Sequence, residues 1–170
     1  MCIRDRIRHG YQLDASGLHT CAILDNGTLM CWGLNNRGQI GDGSTTNAHT
    51  PVWVDLGSGT TVTEVVNGFR HTCATLSNGS LMCWGENSYG QLGNGQQTQT
   101  QTTPVWVDLG VGRTATRIAA DYGNTCAIVD NGSLYCWGTN NHGKLGIDDQ
   151  QLGIVSTPTW VDLGLSLIHI

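Results

Sequence analysis

The chain has 170 residues, 24 of them glycine, with 12% charged side chains and a formal net charge of −5 at pH 7. Globular domains usually carry about 25% charged residues, so this is a turn-rich chain with an uncharged polar surface. Its eight basic residues are spread along the whole length, which argues against nucleic acid as a partner. No apolar run approaches the ~18 residues that span a bilayer, so membrane insertion is not expected either.

Taken from the amino terminus, residues 1–6 read MCIRDR and match nothing else in the chain. They are expected to be a non-native tail, as is LSLIHI at 165–170. Between these ends one unit of about 53 residues occurs three times, at approximately 7–57, 58–110 and 111–164. Cys21, Cys73 and Cys126 are spaced by 52 and 53 residues, and Trp32, Trp84 and Trp137 follow the same step. PVWVDLG at 51–57 returns at 104–110, and as PTWVDLG at 158–164. The unmatched ends imply an internal piece of a longer array, with any export signal outside it.

The second copy gives the elements in order. TVTEVV at 61–66 is β-rich and is followed by an Asn-Gly turn signal. HTCATL at 71–76 and SLMCW at 80–84 are short β segments joined across Ser77-Asn78-Gly79. A glycine-rich loop covers 85–102, and TPVWVDL at 103–109 is a fourth strand, with Pro104 at its start or on an edge. Four short strands per unit of this length match one blade of a β-propeller. The fold class is therefore all-β, as about three four-stranded blades. No window shows the 3.6-residue period of a capped helix.

The hairpin of each copy sets two cysteines symmetrically about a turn. A three-residue turn over Asp25-Asn26-Gly27, with glycine in the left-handed position, opposes Ile23 to Leu29, Ala22 to Met30 and Cys21 to Cys31. That places the cysteines on a non-hydrogen-bonded pair, near the separation a disulfide needs. The same count pairs Cys73 with Cys83 and Cys126 with Cys136. A two-residue Asn-Gly turn would instead set Cys21 against Trp32. Three stapled hairpins belong in an oxidising compartment, outside the cell or at its surface. Reduced, inert cysteines are the alternative. Zinc is disfavoured, because the position of His19 and His71 is Asn124 in the third copy and opposed cysteines lack C-x2-C spacing. The two histidines are expected to bond a neighbouring loop.

HTCAILDNGTLMCWGLNNRGQIGDG at 19–43 and HTCATLSNGSLMCWGENSYGQLGNG at 71–95 resemble the repeat of the regulator of chromosome condensation family. The third copy departs at Lys144 and Ile147, where the others carry Gln39 and Gln91, then Asp42 and Asn94. The resemblance covers about residues 10–164 and implies a propeller, commonly of seven blades. The paired cysteines are similar to the bacterial, exported branch. Nucleotide exchange and chromatin binding, known of the nuclear founder, are not carried over, because this acidic chain offers no matching residues.

Catalytic, cofactor and metal sites are not expected. Asp55, Asp108 and Asp162 recur once per copy and suit strand caps or bonds to a neighbouring blade. Asp42-Gly43-Ser44 and Asp148-Asp149 lack the alternating ligand spacing of a calcium loop. Asn26, Asn78 and Asn131 each begin an Asn-Gly-Ser/Thr triplet that fits the N-glycosylation sequon but is expected to serve the hairpin turn instead. Trp53, Trp106 and Trp160 alternate with Val or Thr and are expected to pack between blades, with Trp32, Trp84 and Trp137 closing the hairpins.

Recognition is expected where the copies differ, in the loops at 42–50, 94–102 and 147–157. The candidate binding residues are Asp42, Thr45, Asn47 and His49 in the first loop and Asn94, Gln97 and Gln99 in the second. Asp148, Asp149 and Gln151 complete the set in the third. The expected function is a non-enzymatic binding or scaffold module with a protein partner. A carbohydrate-binding module, or a scaffold for an enzyme domain outside this chain, are the alternatives. Uncovered outer faces of the first and third copies would also allow self-association.

Overall fold

The computed structural model describes residues 12–147 and 153–164. Both terminal hexapeptides, and Asp148, Asp149 and Gln151, lie outside them. The first antiparallel sheet holds β1 (Leu13–Asp14), β2 (His19–Ile23), β3 (Leu29–Gly33) and β4 (Ala48–Trp53). The second holds β5 (Val62–Asn67), β6 (His71–Leu76), β7 (Leu81–Glu86) and β8 (Thr100–Trp106). The third holds β9 (Ala115–Asp121), β10 (Asn124–Val129), β11 (Leu134–Thr139) and β12 (Ile154–Val161). In each sheet the strands lie in chain order. A 3-10 turn at Asn141–Gly143 is the helical element among the described residues.

The hairpin turn has three residues. Leu24 N donates to Thr28 O at 2.8 Å and Gly27 N to Leu24 O at 2.9 Å, while Gly27 takes φ +75°. Cys21 therefore opposes Cys31, and the same register opposes Cys73 to Cys83 and Cys126 to Cys136. Each pair is disulfide-bonded across a Cα separation of 4.1 Å. Asn26 Oδ1 accepts from the backbone N–H of Thr28 at 3.1 Å and from its hydroxyl at 2.6 Å, and Asn78 and Asn131 accept the corresponding N–H of Ser80 and Ser133. The asparagine of each triplet thus shapes the turn. The fourth strand starts at Thr100, earlier than its β-rich core suggests, because a bulge between Cys83 and Gly85 lets the end of the glycine-rich loop pair with Gly85 and Glu86.

Two apolar clusters fill the spaces between successive sheets. Cys21, Leu29 and Cys31 of the first sheet pack with Ala74, Met82 and Trp84 of the second. Cys73, Leu81 and Cys83 pack in turn with Ala127 and Trp137 of the third. The tryptophans between the sheets are therefore hairpin ones, paired with Thr72 and Thr125, and not the outer-strand set expected there. Trp84 and Trp137 are fully buried in the seams, whereas Trp53, Trp106 and Trp160 are 58%, 58% and 53% exposed. The reason is position in the sheet. The inner strands β1, β5 and β9 carry contacts between sheets, so they converge, while β4, β8 and β12 form the outer edges.

Candidate functional site

The seams define what is framework. His19 Nε2 lies 2.7 Å from Thr72 Oγ1, and Thr72 Oγ1 donates to Gln39 O at 2.7 Å. Because the hydroxyl proton is committed to the carbonyl, the histidine must be the donor in the first bond, which fixes its proton on Nε2. His71, Thr125 and Gln91 O repeat the relay at 2.9 and 2.8 Å. The histidines thus reach a strand of the next sheet rather than a loop. His19 Nδ1 and His71 Nδ1 are buried without a hydrogen-bond partner. Burial lowers the His19 pKa to about 4, against the opposing pull of Asp14. Burial and the neighbouring His19 lower His71 to about 3, against Asp121. Both rings are neutral at physiological pH.

The recurring aspartates are local as well. Asp55, Asp108 and Asp162 accept from the N–H of Gly57, Gly110 and Gly164 at 3.0, 2.9 and 2.8 Å, so each closes the turn that follows its outer strand. They are turn formers and do not reach a neighbouring sheet in these bonds.

A cleft of about 420 Å³ opens where the inner strands converge. Gln12, Thr63, Glu64, Thr75, Leu76, Ser77, Gly79, Ala115, Thr116 and Arg117 line it. Gln12 Oε1 accepts from Val65 N at 2.8 Å, and Glu64 Oε2 accepts from Ile118 N at 3.1 Å. Each side chain thereby satisfies an edge N–H of the next sheet that its own ladder leaves open. Burial raises the Glu64 pKa, opposed by the Ile118 N–H and the positive charge of Arg117. Glu64 and Arg117 are the ionisable side chains of a lining otherwise rich in hydroxyls. Such a surface is built to match polar and charged groups.

Gln12, Glu64 and Arg117 occupy the same place in the three copies, separated by 52 and 53 residues. Sequence reasoning missed them. The position reads Gln, Glu and Arg within inner strands that differ at most positions, YQLDA, TEVVN and TRIAA, so nothing local singled it out or showed that these residues meet.

The candidate residues of the outer loops are of two kinds. Asn35 Nδ2 donates to Asp42 Oδ1 at 3.2 Å, and Asn87 Nδ2 to Asn94 Oδ1 at 3.2 Å. Asn47 Oδ1 accepts from Asn35 N at 2.9 Å. Asp42, Asn47 and Asn94 hold the shape of their loops, while Thr45, His49, Gln97 and Gln99 are exposed. In the third copy Ile147 replaces the acceptor, and Asn140 Oδ1 still accepts from Leu145 N at 3.1 Å.

Three four-stranded sheets, stacked through repeated seams with their inner strands converging, define consecutive blades of a β-propeller. Models of the Regulator of chromosome condensation (RCC1) repeat match residues 26–75 and 78–128, and a second such model matches 11–39, 62–91 and 116–144. The chain belongs to the RCC1 repeat family.

It is 31% identical over 133 residues to the Ultraviolet-B receptor UVR8 of Arabidopsis thaliana, covering 78% of this chain and 30% of that protein. It is also 31% identical over 134 residues to the E3 ubiquitin-protein ligase HERC2 of Homo sapiens, covering 78% of this chain and 3% of that protein. Among solved structures, Prp20p from Saccharomyces cerevisiae superposes with a TM-score of 0.81 at 19% identity, over 91% of this chain and 39% of that one. That structure was studied with its binding to Gsp1p and histones. The chain thus spans less than half the length of each of these proteins.

Proposed function

We propose that the chain is a non-enzymatic, protein-binding part of an exported propeller. One observation carries this reading: a repeated framework brings the copy-specific residues Gln12, Glu64 and Arg117 into a single cleft. Catalysis would call for a positioned nucleophile with a base, or an acid–base pair. The cleft instead offers one carboxylate, one guanidinium and several hydroxyls, a set suited to recognition. Thr45, His49, Gln97 and Gln99 extend the variable surface at the outer loops. The three disulfides support an oxidising setting. Binding of Gsp1p and histones by Prp20p is consistent with a protein ligand for this fold, although it names none for this chain.

Photo-crosslinking tests the reading. A crosslinkable residue at Thr116, facing the cleft, and another at Gln97 would be exposed to surface and secreted proteins of the native organism. We expect a saturable adduct with a discrete protein at Thr116 that Arg117→Glu abolishes. Absence of a saturable adduct at both positions would overturn it.

A further inference from the structure

Trp53, Trp106 and Trp160 have no explanation in the packing. The first sheet lies against the leading face of the second, where Trp106 stands across from Met82. No described sheet covers the equivalent face of the first, where Trp53 stands across from Met30. Yet both indoles are 58% exposed. Covering that face by a neighbour leaves the indole in solvent, so seam packing is not what these residues serve.

Each indole sits on the outermost strand, two residues after a proline on the same face: Pro51 and Trp53, Pro104 and Trp106, Pro158 and Trp160. The prolines withhold an N–H from the exposed edge, which discourages strand addition there. β4, β8 and β12 contain no Asp, Glu, Lys or Arg. The strands therefore form an apolar shelf with threonine hydroxyls beside it, flanked by the turn aspartates Asp55, Asp108 and Asp162 and repeated with little change. A protein surface does not repeat from sheet to sheet, so contacts to it diversify, as they do at Gln12, Glu64 and Arg117. Near-identical shelves suit a ligand whose own chemistry repeats. An indole face stacks on the C–H face of a pyranose ring, and neutral hydroxyls complement neutral sugars.

We propose that the outer strands form a row of equivalent subsites for a neutral polysaccharide, one per sheet, each built on the indole of Trp53, Trp106 or Trp160. This surface is separate from the inner cleft and does not depend on the protein-binding reading.

Affinity electrophoresis of the whole chain through native gels containing hydroxyethylcellulose, mixed-linkage β-glucan or galactomannan tests it. At least one gel should retard the chain, single Trp→Ala variants should be retarded less, and the triple variant should bind about tenfold more weakly or worse. A triple Trp→Tyr variant, which keeps a stacking face, should retain part of the retardation. Acrylamide quenching of the unaltered chain gives a readout that needs no variant: the retarding polysaccharide must shield indole fluorescence. The proposal is overturned if none of the three polymers retards the chain, or if the triple alanine variant is retarded equally. Binding to phosphatidylcholine vesicles in place of the polymers, lost in the triple alanine variant, would also overturn it by assigning the shelf to a lipid interface.

Discussion

Trp84 of the second sheet donates its indole N–H to the backbone carbonyl of Gln39, in the loop between β3 and β4, at 2.9 Å. Thr72 donates to the same oxygen at 2.7 Å, so both lone pairs of this loop carbonyl are used by the second sheet. Trp137 and Thr125 repeat the arrangement on Gln91 O. Because the acceptor is main chain, a seam of this kind makes its demand on backbone placement.

That placement requires glycine beside each indole. A Cβ on Gly41 would meet Trp84 Nε1 at 2.6 Å, and one on Gly93 would meet Trp137 Nε1 at 2.6 Å, both from positive φ. Gly41→Ala or Gly93→Ala is predicted to destabilise by about 2–4 kcal/mol, from left-handed strain plus overpacking. Gly112→Ala, with the same sign of φ and open space around it, should cost about 1–2 kcal/mol. Urea titrations of the three variants measure the difference.

Thr72→Val keeps the shape of the side chain and removes both of its bonds. The His19 Nε2–H then loses its acceptor inside the seam, which is predicted to cost about 1–3 kcal/mol. Thr20→Val, at the equivalent place on the first sheet, where no described sheet covers that face, should change stability by less than about 0.5 kcal/mol. The two unfolding midpoints, measured side by side, decide this.

The seam histidines make stability fall in acid. Their folded pKa values, about 4 for His19 and about 3 for His71, lie below the ordinary 6.5. Below pH 6.5 the unfolded chain therefore binds protons that the folded chain refuses, and stability declines as pH falls until the folded pKa is reached. Each unit of depression corresponds to about 1.4 kcal/mol. His71→Asn, the residue the third copy carries as Asn124, should flatten the profile between pH 6.5 and 4 relative to the parent chain. An unchanged slope would show that other groups set the acid response.

Replacing Cys73 and Cys83 together by serine opens a staple with a sequence separation of 10. The loop-entropy model gives a loss of about 3 kcal/mol. The drop in melting temperature should disappear when both proteins are compared under reducing conditions.

Much of the fold was legible because its determinants are local. Asp25-Asn26-Gly27 sets the turn, the turn sets the register, and the register opposes Cys21 to Cys31. The tryptophans were misassigned because two-residue alternation tells which side of a sheet a residue faces, but not how far from the propeller axis it sits. Trp84 and Trp106 share the leading side of the second sheet, and only distance from the axis buries the first and exposes the second. The His19–Thr72 bond and the Gln12–Glu64–Arg117 cleft join residues one whole repeat apart, where no short-range pattern reports contact.

The proposed export rests on three disulfide-stapled blades that hold a copy-specific surface. A thiol count tests it most directly: the chain, made in an oxidising compartment, is denatured, alkylated with and without reductant, and weighed intact. The account predicts that, of seven cysteines, the six of the hairpins are protected without reductant and all seven are alkylated after reduction. Seven alkylated cysteines in both samples would contradict the staples and the export argument that rests on them.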